Sequence, residues 1–139
     1  MAAPVTAPKM SSAQLEQSRR AAKSNLRAAE SLASLVYTNA GGQWSTPTLG
    51  TDLASVDQSI TWNAPASASP RQVGYATLGD QVLVLAVRAA GGDCYFTRID
   101  NSVPGGTFYK ATHASSASCD ASAPVWAATD AVTIEAGWA

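Results

Sequence analysis

The chain is poor in the residues that build most catalytic and metal centres. Histidine occurs once, at His113, so a histidine-rich metal site is excluded and any Ser–His–Asp triad would have to use that residue. It stands in a Ser- and Ala-rich stretch with no Gly-x-Ser-x-Gly elbow to present a nucleophile, which reads as a solvated loop histidine. Asp100, Asp120 and Asp130 lie near turns but lack the dense oxygen-ligand spacing of a calcium loop, and read as solvated turn carboxylates. No catalytic residue, metal site or cofactor is therefore expected. Charge is scarce too: charged residues make up 14% of the chain and the net charge is −1, which argues against bulk attraction to nucleic acid or anionic lipid. Apolar runs are far shorter than the roughly 18 to 20 residues that span a bilayer, and no charged, apolar, small-residue signal opens the chain, so it reads as a soluble polypeptide.

Cysteine is limited to Cys94 and Cys119. Low charge with abundant Ser, Thr, Ala and Gly is common in exported proteins, so a disulfide in an oxidising compartment is expected, with two free thiols as the alternative. Such a crosslink contributes roughly 3 to 4 kcal/mol by restricting the unfolded chain. With 139 residues and 46% hydrophobic content, one domain with a single core is expected.

Along the chain, the prolines at Pro4 and Pro8 keep residues 1–10 extended or kinked. Ser11 and Gln14 fit a capping box, and from there to about Thr38 no Gly or Pro interrupts a run of good helix formers. Leu15, Ala22, Leu26, Ala29, Ala33 and Val36 lay an apolar stripe along one side of this helix, which Leu32 and Leu35 widen. Asn39 to Gly42 ends it. After a loop and a helical turn or two near Thr51–Val56, Ile60–Asn63 opens a strand and NAPASASP reads as a turn region. Gln72–Leu78 and Gln81–Ala89 flank Gly79-Asp80 as a hairpin, and strands follow at Cys94–Ile99 and Thr107–Lys110. The stretch THASSASCDASAP reads as irregular, and the alternation of Val132, Ile134, Ala136 and Trp138 predicts a final strand. Trp44, Trp62, Trp126 and Trp138 are expected to pack under loops, with one or two left for subunit contacts. The class is α+β: a long N-terminal helix on a small antiparallel meander. The divisions are a junction at 1–10, an amphipathic helix at 11–40 and a head at 41–139.

Charge is unevenly placed. Residues 1–30 carry Lys9, Arg19, Arg20, Lys23 and Arg27 against Glu16 and Glu30, whereas residues 31–139 carry four basic and eight acidic groups. Arg20, Lys23 and Arg27 share one helix face with Arg19 at its edge. That face is either a solvated surface helped by the Glu16–Arg20 pair or a contact for the acidic part of a neighbouring copy. Nucleic-acid binding is a weaker third reading, since few basic residues cluster and few aromatics interleave with them.

The stretches AAPV at 2–5, SRRAAKSNLRAAESLASLVYTNAGGQW, TLGTDLASVDQSITW and CYFTRID with a later Cys119 together resemble the type IV pilins and the pseudopilins of type II secretion. The likeness is greatest to small, single-disulfide pilins of Gram-positive bacteria, and is most specific over residues 19–62 and 72–99. It implies a pilin fold and a structural subunit of an extracellular, cell-surface filament whose partners are copies of itself, with other pilins possible. It also implies a Cys94–Cys119 bridge and an intact form that passes through the membrane. The family's peptidase site, its mature N-terminal phenylalanine, the nearby glutamate and the apolar half of the helix have no counterpart in these residues, so the expectation is a soluble portion lacking that half. A secretion pseudopilin, or a secreted adhesion or DNA-capture module at a fibre tip, are the rival readings; an enzyme is the least favoured.

Overall fold

Residues Ser12–Asn39 form helix α1, and both its ends are set by local chemistry. The Gln14 backbone N–H donates to Ser11 Oγ at 3.2 Å and the Ser11 N–H donates to Gln14 Oε1 at 2.9 Å, so the expected capping box closes in both directions and satisfies two otherwise orphaned donors. At the far end Gly41 and Gly42 take φ of 77° and 83°, left-handed angles that only glycine adopts at little cost. The computed structural model describes residues 11–102, 105–113, 115–127 and 129–138; the proline-bearing junction at 1–10 lies outside the described residues.

After α1 come α2 (Leu49–Val56), β1 (Thr61–Asn63), β2 (Ala66–Ser67), β3 (Gln72–Thr77), β4 (Val82–Arg88), β5 (Cys94–Asp100), β6 (Gly106–Thr112), β7 (Cys119–Asp120) and α3 (Ile134–Gly137). Five strands form one sheet in the order β1-β3-β4-β5-β6, and β2 pairs with β7 in a separate two-stranded ladder. The fold is α+β, with a long N-terminal helix on a mostly antiparallel sheet. The hairpin around Gly79-Asp80 forms as expected, pairing Tyr75 with Leu85 and Thr77 with Leu83.

Register decides which side chains meet α1. In β4, Leu83, Leu85 and Val87 join Tyr95 and Ile99 of β5 in one cluster with Ala22, Leu26, Ala29, Ala33 and Val36 of the helix. The intervening Val84 and Ala86 face the other way, with Cys94, Phe96, Cys119 and Ala121. A strand buried on both faces must be apolar throughout, which accounts for the unbroken run VLVLAV. On the second face Cys119, Ala121 and Trp126 pack from the chain after β6, and beside them Arg98 of β5 lies 4.7 Å from the ring of Phe108 in β6 and Lys110 of β6 lies 5.2 Å from the Trp126 ring.

Four details depart from the sequence reading. The sheet is not a pure meander, because β1 runs parallel to β3, with Trp62 opposite Val73. The NAPASASP turn region contributes β2, and the irregular stretch before Pro124 contributes its partner β7. Leu35 does not widen the apolar stripe and stays 56% exposed. The final strand over 132–138 is instead the short helix α3: Thr133 Oγ1 accepts the Ala136 N–H at 3.3 Å, while the β6 edge is taken upstream, where the Tyr109 N–H donates to the Ala131 carbonyl at 2.9 Å. Trp138 is consequently buried end-on between Tyr95 and Tyr109, its indole N–H donating to the Phe96 carbonyl at 3.0 Å. Trp44 and Trp138 are fully buried, and Trp62 and Trp126 are half-buried.

Candidate functional site

Helix geometry places every third or fourth residue on one face, so the stripe that binds the sheet leaves a flank and an outer face carrying the basic residues. Arg20, Lys23 and Arg27 line one open groove of about 510 Å³ together with Ser24, Ala28, Ser31 and Ile134 of α3. Arg20 is held at 3.3 Å from Glu16, a solvated i,i+4 pair worth at most about 0.5 kcal/mol. Lys23 sits 5.1 Å from the Tyr95 ring centre, and Arg27 is exposed. Among the described residues neither Lys23 nor Arg27 belongs to an ion pair.

Arg19 is separated from the other three. Its Nε donates to Asp93 Oδ2 at 2.6 Å, with the carboxylate 9% exposed, and this partner raises the guanidinium pKa above its ordinary value. Arg19 thus ties the helix to the β4–β5 turn instead of extending the groove. The same turn receives His113, whose Nδ1 lies 3.6 Å from Asp93 Oδ1 and whose ring meets Tyr95 edge-on at 6.2 Å. His113 is a loop residue with 53% of its side chain exposed, as expected, and it leans on this turn.

Other polar contacts fasten the flanks of α1. Ser18 Oγ accepts the Ala90 N–H at 2.7 Å, Asn25 Nδ2 donates to the Pro70 carbonyl at 2.7 Å, and the Tyr37 hydroxyl donates to Gln81 Oε1 at 2.7 Å. Beside Arg27, the Tyr109 hydroxyl donates to Glu30 Oε1 at 3.1 Å. Burial pushes the Glu30 carboxyl up, against the Tyr109 hydrogen bond and the Arg27 charge. Burial first and the Glu30 charge second push Tyr109 up to about 12.

The turn acids are acceptors with assigned partners. Asp100 takes the Ser102 N–H at 2.9 Å and Arg98 Nη2 at 3.0 Å, Asp120 takes the Ser122 N–H at 2.8 Å, and Asp130 takes the Ala127 N–H at 2.5 Å with Lys110 at 3.3 Å. At Asp100 burial works upward, but Ser102 and Arg98 outweigh it and hold the carboxyl below the usual range; at Asp120 the Ser122 bonds lower it, and at Asp130 the Ala127 bond does. Among the described residues no three His, Cys, Asp or Glu side chains gather as a metal-binding group.

Cys94 and Cys119 are joined by a disulfide, with Cα atoms 5.5 Å apart. The bridge lies under the second face of the sheet, beside Phe96. Sequence reasoning found this pair and the basic face but missed Asp93, Ser18, Glu30 and Tyr109. Only Asp93 carried a local signal, as a carboxylate in a Gly-Gly-Asp-Cys turn next to a cysteine. No helix of the described residues is long and apolar enough to cross a membrane. Comparison with family models, with curated proteins and with solved structures yields no match.

Proposed function

We propose that the chain is the stem and head of a structural filament subunit of the type IV pilin kind, acting at the cell surface by binding copies of itself and carrying out no catalysis. The observation that carries this reading is the division of α1. One side is buried on the sheet from Ala22 to Val36, while the outer side offers Arg20, Lys23 and Arg27 beside Ile134. A helix committed on one side and open on the other is the element through which neighbouring copies would pack. The head that such a subunit would turn outward is closed by the Cys94–Cys119 bridge, which suits a fibre exposed to an oxidising medium. Residues 31–139 hold twice as many acids as bases, so the basic groove would meet acidic heads, steering approach and register more than supplying affinity.

The test is immunogold electron microscopy of fibres sheared from cells producing the protein, with antibody to this chain. Label along the fibres is expected; label restricted to the cell body or culture fluid, with no decorated fibre, overturns the reading. In the Arg20→Glu, Lys23→Glu, Arg27→Glu variant the yield of labelled fibres should fall, most strongly at low salt. Unchanged yield and unchanged salt response would make the groove a solvated surface.

A further inference from the structure

The disulfide lies about seventy residues beyond the first turns of α1 in sequence, yet a single five-residue turn connects them in space. Ala89–Asp93 joins β4 to β5, closed by the Ala89 N–H donating to the Asp93 carbonyl at 2.9 Å and the Gly92 N–H to the Ala89 carbonyl at 3.0 Å. Gly91 and Gly92, at φ of 96° and 99°, occupy backbone space closed to most residues, so the turn depends on those bonds and on what packs against it. Two neighbours hold it from outside. On one side α1 supplies Ser18 Oγ to the Ala90 N–H and Arg19 to the Asp93 carboxylate, and Leu15 packs so closely that a Cβ on Gly91 would lie 2.9 Å from its Cδ2. On the other side lies the segment before β7: a Cβ on Gly92 would fall 2.5 Å from the Ser116 nitrogen, and Cys119 Sγ stands 3.8 Å from the Asp93 carbonyl. The bridge from Cys94, the next residue after Asp93, fixes that segment against the turn.

We infer that the Cys94–Cys119 disulfide is a redox lock on the N-terminal turns of α1, transmitted through Asp93 to Arg19. Two features confine its action to that part of the helix. Residues 12–21 contain no fully buried side chain, so the turn contacts are their main attachment to the head. Residues 22–36 are held separately by Ala22, Leu26, Ala29, Ala33 and Val36 against the sheet. Opening the lock needs an external dithiol. Its thiolate attacks one sulfur of the bridge, its second thiol resolves the mixed disulfide, two cysteine thiols are released, and the reductant leaves as its own disulfide. Oxidised, the subunit presents α1 as one rigid piece down to Ser12; reduced, its first turns detach while the helix–sheet core stays folded. The lock is a property of this chain's own contacts and does not depend on the filament reading.

Amide hydrogen exchange on the full chain, oxidised and after reduction with dithiothreitol, tests it. Reduction should accelerate exchange in residues 14–20 about tenfold or more, the effect of losing one charge-assisted hydrogen bond with its neighbours, and leave residues 26–36 unchanged. Asp93→Asn with the bridge intact should accelerate the same helix turns while leaving the bridged segment 115–121 protected, which separates the Arg19 link from general loosening of the loop. Should Asp93→Asn not fold, Arg19→Gln reports on the same link. Equal exchange in residues 14–20 of oxidised and reduced protein, or acceleration spread evenly over all of α1, would overturn the inference.

Discussion

Leu26→Ala tests the central packing claim most directly. Leu26 is fully buried in the cluster that joins α1 to Leu83, Leu85 and Val87 of β4. Truncation removes three carbon groups from an apolar site, about 2.4 kcal/mol at roughly 0.8 kcal/mol each. The cavity adds to this, because a sheet and a helix already in contact close a gap only in part, and the expected total is about 3 to 4 kcal/mol. For a chain of 139 residues that corresponds to a fall in melting temperature of roughly 10 °C. Leu35→Ala is the matched control: the same chemical change on the same helix, at a side chain 56% exposed, should cost less than about 0.5 kcal/mol. Thermal melts by circular dichroism, with urea titration to confirm an unchanged m-value, compare the two. A loss below 1 kcal/mol at Leu26, or equal losses at both positions, would show that α1 does not lie on the sheet through this face.

Further consequences concern titration, an orphaned hydroxyl and a close backbone approach. The folded-state pKa of Glu30 is raised above its unfolded value, so the folded protein holds more protons in that window and stability should fall as pH rises through it; Tyr109 acts in the same sense between 10.0 and about 12. Glu30→Gln, which keeps an acceptor for the Tyr109 hydroxyl, should remove the Glu30 contribution on the acidic side and, by taking away the charge that helps raise Tyr109, move the alkaline unfolding midpoint up, read from melts between pH 3 and 11; an unaltered profile would refute the assignment. Thr97 is fully buried in β5 with no partner for its hydroxyl among the described residues, so Thr97→Val should be neutral or stabilise by up to about 1 kcal/mol, and a clear loss would reveal a bond that the hydroxyl makes. At Gly137 an added Cβ would lie 2.3 Å from Tyr109 Cβ and 2.6 Å from its carbonyl oxygen, so Gly137→Ala should cost about 1 to 3 kcal/mol. Gly50→Ala, opposed chiefly by the movable Tyr75 hydroxyl, should cost less, and a reversed order in the melts would argue against α3 docking on β6.

What could be read from the sequence is what local pattern encodes. The Ser11–Gln14 pair and the spacing from Ala22 to Val36 determine a helix and its inner face without reference to anything distant. Leu35 illustrates the limit: it follows Ser34 and precedes Val36 as an ordinary apolar neighbour, but a helix turns about 100° per residue, which carries it behind the face that Val36 buries. Alternation misled at Val132 to Trp138, because four apolar residues two apart suit a strand only where a sheet edge is open, and the Tyr109–Ala131 bond had already occupied it. The parallel placement of β1 was equally hidden, since three residues carry no information on direction. The basic face was visible as spacing, but the diversion of Arg19 to Asp93 spans seventy-four positions and leaves no periodic trace.

The two faces of the sheet are secured by different means, and their composition explains why. Towards α1 the side chains are aliphatic or aromatic and the helix offers a continuous stripe, so area removed from water can stabilise that layer by itself. Towards the C-terminal chain the cover is irregular and rich in Ser and Ala, with little apolar area per residue. Covalent and polar fastenings stand in its place: the Cys94–Cys119 bridge, the Lys110–Asp130 pair, and Arg98 and Lys110 stacked on aromatic rings. Reduction therefore acts on the weakly apolar layer first. Because the Ala89–Asp93 turn belongs to both layers, the disturbance reaches α1 only where α1 depends on that turn.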